Sequence, residues 1–305
     1  MAASGRLRKS GLPIQASGHE HSTIPVKVEL KLRQAAEAVA DADALLITAG
    51  AGVGVDSGLP DFRGTQGFWR AYPAIAKLGL RFEDMANPAW LTQNPHLAWA
   101  FYGHRLNLYR RTIPHPGFQR LLELSRAKVH GSFVFTSNVD GQFQQAGFAA
   151  ERIVECHGSI HHFQCAVSCS PSIWDATNEA AGVDEDKFRA WEPLPKCNRC
   201  SALARPNILM FGDWSWLHHR TDEQQRRLDD WLAGLAQTSA KLVVIELGAG
   251  SAIPTVRLTS EQMAQRFRGR LVRVNPREHE VPRGQIGLPF GALEGIRKIC
   301  DRLSR

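Results

Sequence analysis

The strongest constraint on this chain is the stretch at residues 44–64, ALLITAGAGVGVDSGLPDFRG. A short apolar run at 44–47 passes into Thr48-Ala49-Gly50-Ala51-Gly52, and a polar segment broken by Pro60 follows. That order predicts a buried strand of a parallel sheet turning towards a helix. Glycines in such a turn let the backbone approach a phosphate, and the free N–H groups beyond it favour an anion. The spacing of Gly50, Gly52 and Gly54 is not G-x-G-x-x-G, and no acidic residue about 20 positions on closes a second strand, so an ordinary dehydrogenase site is not expected. Alone, the turn fits any α/β protein.

The surrounding pattern supplies the class. Residues 26–40 carry Leu32, Ala35, Ala36 and Val39 at helical spacing. Residues 70–125 are helical and broken by prolines, with 95–111 the longest clean segment. Apolar strand-like runs recur at 131–135, 152–156, 241–247 and 270–275, and amphipathic helices at 221–238 and 291–303. Strands alternating with helices, each strand ending in a polar or glycine turn, predict an α/β fold with a doubly wound, Rossmann-like parallel sheet. Ligands in such sheets sit at the C-terminal strand ends.

Composition narrows the function classes. No apolar run reaches the roughly 18 residues of a membrane span. Residues 1–25 are polar and dotted with Gly and Ser, as in a disordered tail; Arg6, Arg8 and Lys9 without an early acid also suit a transit peptide. The net charge of +7 comes from scattered Arg, with only the pairs Arg110-Arg111 and Arg226-Arg227, too short for a nucleic-acid stripe. Four of the six cysteines form two close pairs, Cys165-x3-Cys169 and Cys197-x2-Cys200. Such pairs supply four soft ligands for tetrahedral Zn²⁺ with no open position, hence a structural metal in a reducing compartment, taken as cytoplasmic with mitochondrial the alternative. Cys156 and Cys300 look like small buried residues.

Several motifs, in order, carry a resemblance. Asp56-Ser57-Gly58-Leu59-Pro60-Asp61-Phe62-Arg63-Gly64 is similar to the cofactor loop of the sirtuins, the NAD-dependent protein deacylases. Thr136-Ser137-Asn138-Val139-Asp140 resembles their T-Q-N-I-D, with Ser137 in place of Gln. Cys156-His157-Gly158-Ser159 resembles the histidine motif, and the cysteine pairs stand where sirtuins carry a zinc ribbon. Met210-Phe211-Gly212-Asp213 is similar to the F-G-E stretch that pairs with substrate peptide, Asp213 replacing Glu. Gly248-Ala249-Gly250-Ser251 stands where the family has G-T-S, and Val274-Asn275 where it has I-N. Tyr102 and Arg105, three apart on a helix, resemble the acyl-pocket pair of sirtuins that prefer malonyl or succinyl lysine. A phenol and a guanidinium fork suit such a carboxylate.

The resemblance implies an enzyme consuming NAD as co-substrate, with the acyl oxygen of a modified lysine displacing nicotinamide and water finally releasing lysine and O-acyl-ADP-ribose. It implies His157, Asn138 and Asp140 as catalytic residues, with His157 the general base. Cofactor binding falls to Gly50, Ala51, Gly52, Asp61, Phe62, Arg63, Ser137, Asn138, Asp140, Gly248, Ser251 and Asn275, with Phe62 shielding the reacting ribose carbon. Cys165, Cys169, Cys197 and Cys200 hold zinc; Tyr102, Arg105, Met210, Phe211 and Gly212 meet acyl-lysine protein or peptide. Residues 26–160 and 205–305 are expected as the Rossmann-like domain, with a helical insertion at about 70–125 and a zinc-binding domain at 161–204. The competing functions are ADP-ribosyl transfer, NAD hydrolysis, and a non-catalytic zinc-ribbon module on nucleic acid.

Overall fold

The computed structural model describes residues 24–60 and 64–303. Its strands in chain order are β1 (Ala44–Ala49), β2 (Ser132–Thr136), β3 (Ile153–Glu155), β4 (Gly158–Cys165), β5 (Ile173–Asp175), β6 (Val183–Asp184), β7 (Arg189–Ala190), β8 (Ala204–Ile208), β9 (Leu242–Leu247), β10 (Arg270–Val274) and β11 (Ile286–Leu288). Six of them form one sheet in the order β3-β2-β1-β9-β10-β11, every neighbouring pair parallel. The chain winds outward one way from β1 and the other way from β9, so the topological switch lies between those two strands.

Parallel strands covered on both faces must be apolar throughout, and every residue of β1 and β9 is buried. Helices Val26–Asp41, Pro116–Arg126 and Ala292–Leu303 bury Leu32, Phe118 and Ile296 on one face. Helices His219–Thr238 and Thr255–Arg266 bury Leu228, Leu232 and Val256 on the other. A charged pair inside the sheet sits at directly opposed positions of β9 and β10, where Arg273 Nε lies 2.5 Å and Nη2 3.0 Å from the Glu246 carboxylate. No helix among the described residues is long and apolar enough to cross a membrane.

The helix Thr255–Arg266 and strand β11 are additions to the expected elements. The helix looks polar because Ser260 lies on its buried face, 2.8 Å from Thr48 Oγ1 of β1. β11 is only three residues long and includes Gly287, whose Cα faces the His279 carbonyl so closely that a Cβ would lie 2.0 Å from it. The stretch after β1, expected as loop, is a 3-10 helix at Ala51–Ser57 closed by Gly58 at φ +87°.

Between β3 and β8 the chain leaves the sheet. β5-β4-β8 make a small antiparallel sheet, β6 and β7 a separate two-stranded ribbon. The long helix Pro95–Arg111 packs against both, and Trp99, Phe101, Phe163, Phe188 and Met210 share one apolar cluster. This second core takes in Leu59, Val139 and Ile160 from the segments that follow β1, β2 and β3.

Candidate active site

Several of the residues singled out by sequence are tied to the C-terminal strand ends through backbone bonds. Where β1 stops, the Ala49 carbonyl accepts from Ser137 N at 3.1 Å and from Thr136 Oγ1 at 3.0 Å. Asn138 donates its amide to the Gly50 carbonyl at 3.1 Å, while its own N–H bonds Thr136 Oγ1 at 3.0 Å. The turn after β2 is thereby tied across the sheet to the glycine turn after β1.

That glycine turn is also interlocked with the one after β9. Gly50 N donates to the Leu247 carbonyl and Gly52 N to the Gly248 carbonyl, both at 3.0 Å. Gly248 has φ +59°, and a Cβ on it would lie 2.4 Å from the Gly52 carbonyl carbon; only glycine fits. The crossing of the two turns is the switch point itself, where a doubly wound sheet opens its ligand crevice. Ser57, Gln142 and His115 brace it from beneath: Ser57 Oγ donates to Gln142 Oε1 at 3.2 Å and accepts from His115 N at 3.0 Å.

Asn275, at the end of β10, is fully buried. Its amide donates to the Ala249 carbonyl at 2.8 Å, and its Oδ1 accepts from Arg277 N and Glu278 N, each at 3.0 Å. It thus holds the Gly248–Ser251 turn in place with its polar atoms engaged by the protein. Ser251 is exposed, and its N–H is held by the Glu278 carboxylate at 2.8 Å.

His157 follows β3 directly. The preceding Cys156 N donates to the Thr136 carbonyl at 2.9 Å, and the His157 carbonyl accepts from Leu209 N at 3.0 Å, so the histidine sits between the Ser137–Asp140 turn and the strand leading to Met210. Gly158 beside it has φ +77°, and a Cβ there would lie 2.0 Å from the Asn207 carbonyl, which explains the His-Gly order. Burial pushes the His157 imidazole below its ordinary value, with a hydrogen bond to the Ser137 backbone working against it. The ring is therefore neutral at pH 7, the state a general base needs.

Asp140 is buried, and burial pushes its carboxyl up to about 6; the Gln142 N–H at 3.0 Å opposes this. His161 bonds the Asp140 carbonyl at 2.8 Å and lies against Gly141, where a Cβ would come 2.7 Å from the ring. A cleft of about 340 Å³ beside this turn is lined by Tyr109, Arg110, Asp140, Ser159 and His161; neither His157 nor the glycine turns line it. Asp61, Phe62 and Arg63 lie outside the described residues.

In the stretch expected to meet peptide, Phe211 N donates to the Ala86 carbonyl at 2.8 Å, Met210 is buried and Gly212 has φ +66°. The loop is anchored by two residues whose partnership the sequence did not reveal. Arg205 is fully buried, and its Nη1 lies 3.0 Å from Asp213 Oδ1 while Nη2 meets Oδ2. Burial alone would raise the Asp213 carboxyl, but Arg205 holds it below the usual range. An Arg-Pro pair followed eight residues on by Asp was the available signal. Glu155, which no motif singles out, is buried in β3 two positions before His157 and paired to Arg220 at 2.5 Å.

Tyr102 and Arg105 are both buried on the helix Pro95–Arg111. Among the described residues the Tyr102 hydroxyl has no hydrogen-bond partner. Burial pushes it up to about 12, with Arg105, Arg205 and Asp213 all in electrostatic reach. Arg105 in turn acts on Asp140. Tyr102 is thus within electrostatic reach of Asp213, and Arg105 of Asp140.

The four cysteines come together as the spacing required. Their Sγ atoms all lie within 4.8 Å of one another, with Cys165–Cys200 and Cys169–Cys197 each at 3.6 Å. Thiolates at about 2.3 Å from a tetrahedral Zn²⁺ stand about 3.8 Å apart, so the cluster fits the ion. The backbone N–H groups of Cys200 and Arg199 pull the Cys197 thiol down, as thiolate ligation needs.

A profile of the Sir2 family matches residues 50–231, more than half of the chain. The chain belongs to the Sir2 family. Among curated Sir2 relatives, the NAD-dependent protein deacylase of Thermococcus kodakarensis is 36% identical over 159 residues, 52% of this chain and 56% of that protein. The one of Aquifex aeolicus is 25% identical over 250 residues, 82% of this chain and 90% of that protein. The chain thus spans little more than half the length of the first of these Sir2 relatives. A solved Sir2 homolog–NAD complex superposes with a TM-score of 0.65 at 27% identity, covering 88% of this chain and 94% of that one. A Sir2 homologue mutant–ADP ribose complex gives 0.64 at 26%, covering 89% and 97%.

Proposed function

We propose that this Sir2 protein removes acyl groups from protein lysine with NAD as co-substrate, giving nicotinamide and O-acyl-ADP-ribose. The observation that carries the reading is the placement of a neutral, half-buried His157 at the end of β3, bonded through its neighbours to the Ser137–Asp140 turn beside the switch point. His157 would take a proton from a ribose hydroxyl once the acyl oxygen has displaced nicotinamide. Asn138 and Asp140 would hold the nicotinamide end, and the crossed glycine turns would admit the pyrophosphate. Acyl-lysine peptide would lie along Met210-Phe211-Gly212 by strand addition. The relatives' names and the NAD-bound homolog support the same chemistry.

A preference for succinyl or malonyl lysine is the finer part of the proposal. It is supported by the Tyr102 hydroxyl, without a partner among the described residues, and by Arg105 one helical turn on, within electrostatic reach of Asp140. Mass spectrometry of products from NAD with acetyl-, malonyl- and succinyl-lysine peptides tests both parts. Peptide-dependent nicotinamide release with O-acyl-ADP-ribose is expected, and it should be abolished in His157→Ala. Equal NAD loss without peptide would instead assign hydrolysis, and ADP-ribose on the peptide would assign transfer. Arg105→Met should lower kcat/KM for succinyl peptide about 100-fold and for acetyl peptide less than about threefold.

A further inference from the structure

Tyr109 has no role in the motifs that drew attention to its helix, yet it is hydrogen-bonded to Arg105. One turn beyond Arg105 on Pro95–Arg111, and therefore on the same face, it is buried and its hydroxyl accepts from Arg105 Nε at 3.1 Å. Its ring lies 5.5 Å from Arg105 Cζ, and the rings of Phe101 and Phe82 stand at 5.1 and 5.7 Å. We infer that Tyr109 is a positioning residue that sets the plane of the Arg105 guanidinium and thereby selects acyl chains ending in a carboxylate. This rests on the acyl-pocket reading above and extends it.

A planar guanidinium can meet a carboxylate side-on, through Nε and one Nη, or end-on, through both Nη groups. The Tyr109 oxygen on Nε closes the side-on approach, so the carboxylate is met end-on, and the aromatic surround resists rotation of the fork out of that plane. The choice of a phenol matters. Burial raises the Tyr109 hydroxyl above its ordinary value, Arg105 working against this, so the group stays protonated and uncharged at neutral pH. An Asp or Glu at the same position would orient Arg105 equally well but would neutralise it and compete with the acyl carboxylate. A neutral acceptor orients the cation without adding a negative charge of its own beside the acyl carboxylate.

The test uses steady-state kinetics of the full chain with acetyl- and succinyl-lysine peptides of one sequence. Tyr109→Phe keeps the ring and removes the oxygen. Expected is a KM for succinyl peptide raised about tenfold with kcat within about twofold, while both constants for acetyl peptide stay unchanged. Tyr109→Gln restores a neutral acceptor and should recover most of the succinyl KM; if the Phe variant does not fold, retained succinyl preference in the Gln variant carries the test and its loss overturns the inference. A purely structural role would move both peptides together, and that result also overturns it. No change in Tyr109→Phe while Arg105→Met remains acyl-selective removes Tyr109 but leaves the clamp standing. A non-selective Arg105→Met removes the clamp itself.

Discussion

The six-stranded sheet and the cysteine-bearing insertion are built from the same chain by opposite means. In the sheet, β1 and β9 are buried along their whole length between two layers of helices, and that burial is sufficient to order them. The insertion has β5 of three residues, only half-buried or exposed, and β6 and β7 of two. Its apolar residues, such as Phe163, Phe188 and Leu194, pack onto the helical insertion and not into a core of their own. Segments that short cannot offset their ordering entropy by burial, and four converging thiols supply what is missing. The candidate active site sits on the seam, where loops fixed by the sheet meet loops fixed by the insertion.

The largest expected effect breaks the comparison at its weaker side. Removing zinc with a chelator, or Cys197→Ser, should unfold the region around 165–204 and abolish the proposed deacylation while leaving the sheet folded. Hydrogen exchange followed by mass spectrometry checks this: amides of β5 to β7 should exchange fully while those of β1 and β9 stay protected. Protection surviving in the metal-free insertion would show that its packing on Pro95–Arg111 is enough without a metal.

A smaller effect probes the seam. Asp213→Asn removes the counter-charge of a fully buried Arg205 and loosens the loop through Met210 and Ser215, whose N–H groups also bond Asp213. Stranding a buried charge costs about 3–5 kcal/mol, read as a lower denaturant midpoint, and peptide KM should rise with it. Asp222→Asn, at an exposed pair with His218, is the control and should change neither.

The same contrast explains what the sequence could reveal. Central strands announce themselves because parallel burial demands unbroken apolar runs, as at Leu45, Ile47, Val244 and Ile245. The glycine turns and the Cys pairs were legible because close backbone approach and metal ligation restrict residue type at fixed spacing. β4 was not: His161, His162 and Gln164 interrupt it, and its pairing with β8 shifts register between Ser159 and Phe163. Arg205 was missed because a lone Arg in sequence is normally solvated, and only the turn at Gly212 brings Asp213 back to it. Asn275 was legible as special, but the structure shows its bonds running to Ala249 and the following turn.

The smallest effect concerns the site's own cost, on the sheet side of the seam. Asp140 is held by the turn after β2 in a place where burial raises its carboxyl from 3.8 to about 6. A raised carboxyl favours the folded state when protonated, so its contribution is full below pH 3.8 and is lost as pH rises through about 6. At pH 7 the ionised group is therefore a burden on stability. Asp140→Asn keeps the acceptor for Gln142 N–H, removes the charge, and should stabilise the fold on the order of 2 kcal/mol at pH 7 while abolishing turnover. The gain should shrink across the window between about 6 and 3.8 and vanish below it, where wild type is already neutral. Denaturation midpoints of both proteins at pH 4.0, 5.5 and 7.5 decide the matter. A gain independent of pH would mean that the carboxylate is better compensated than its burial implies, and that the sheet side carries no strain of its own at the site.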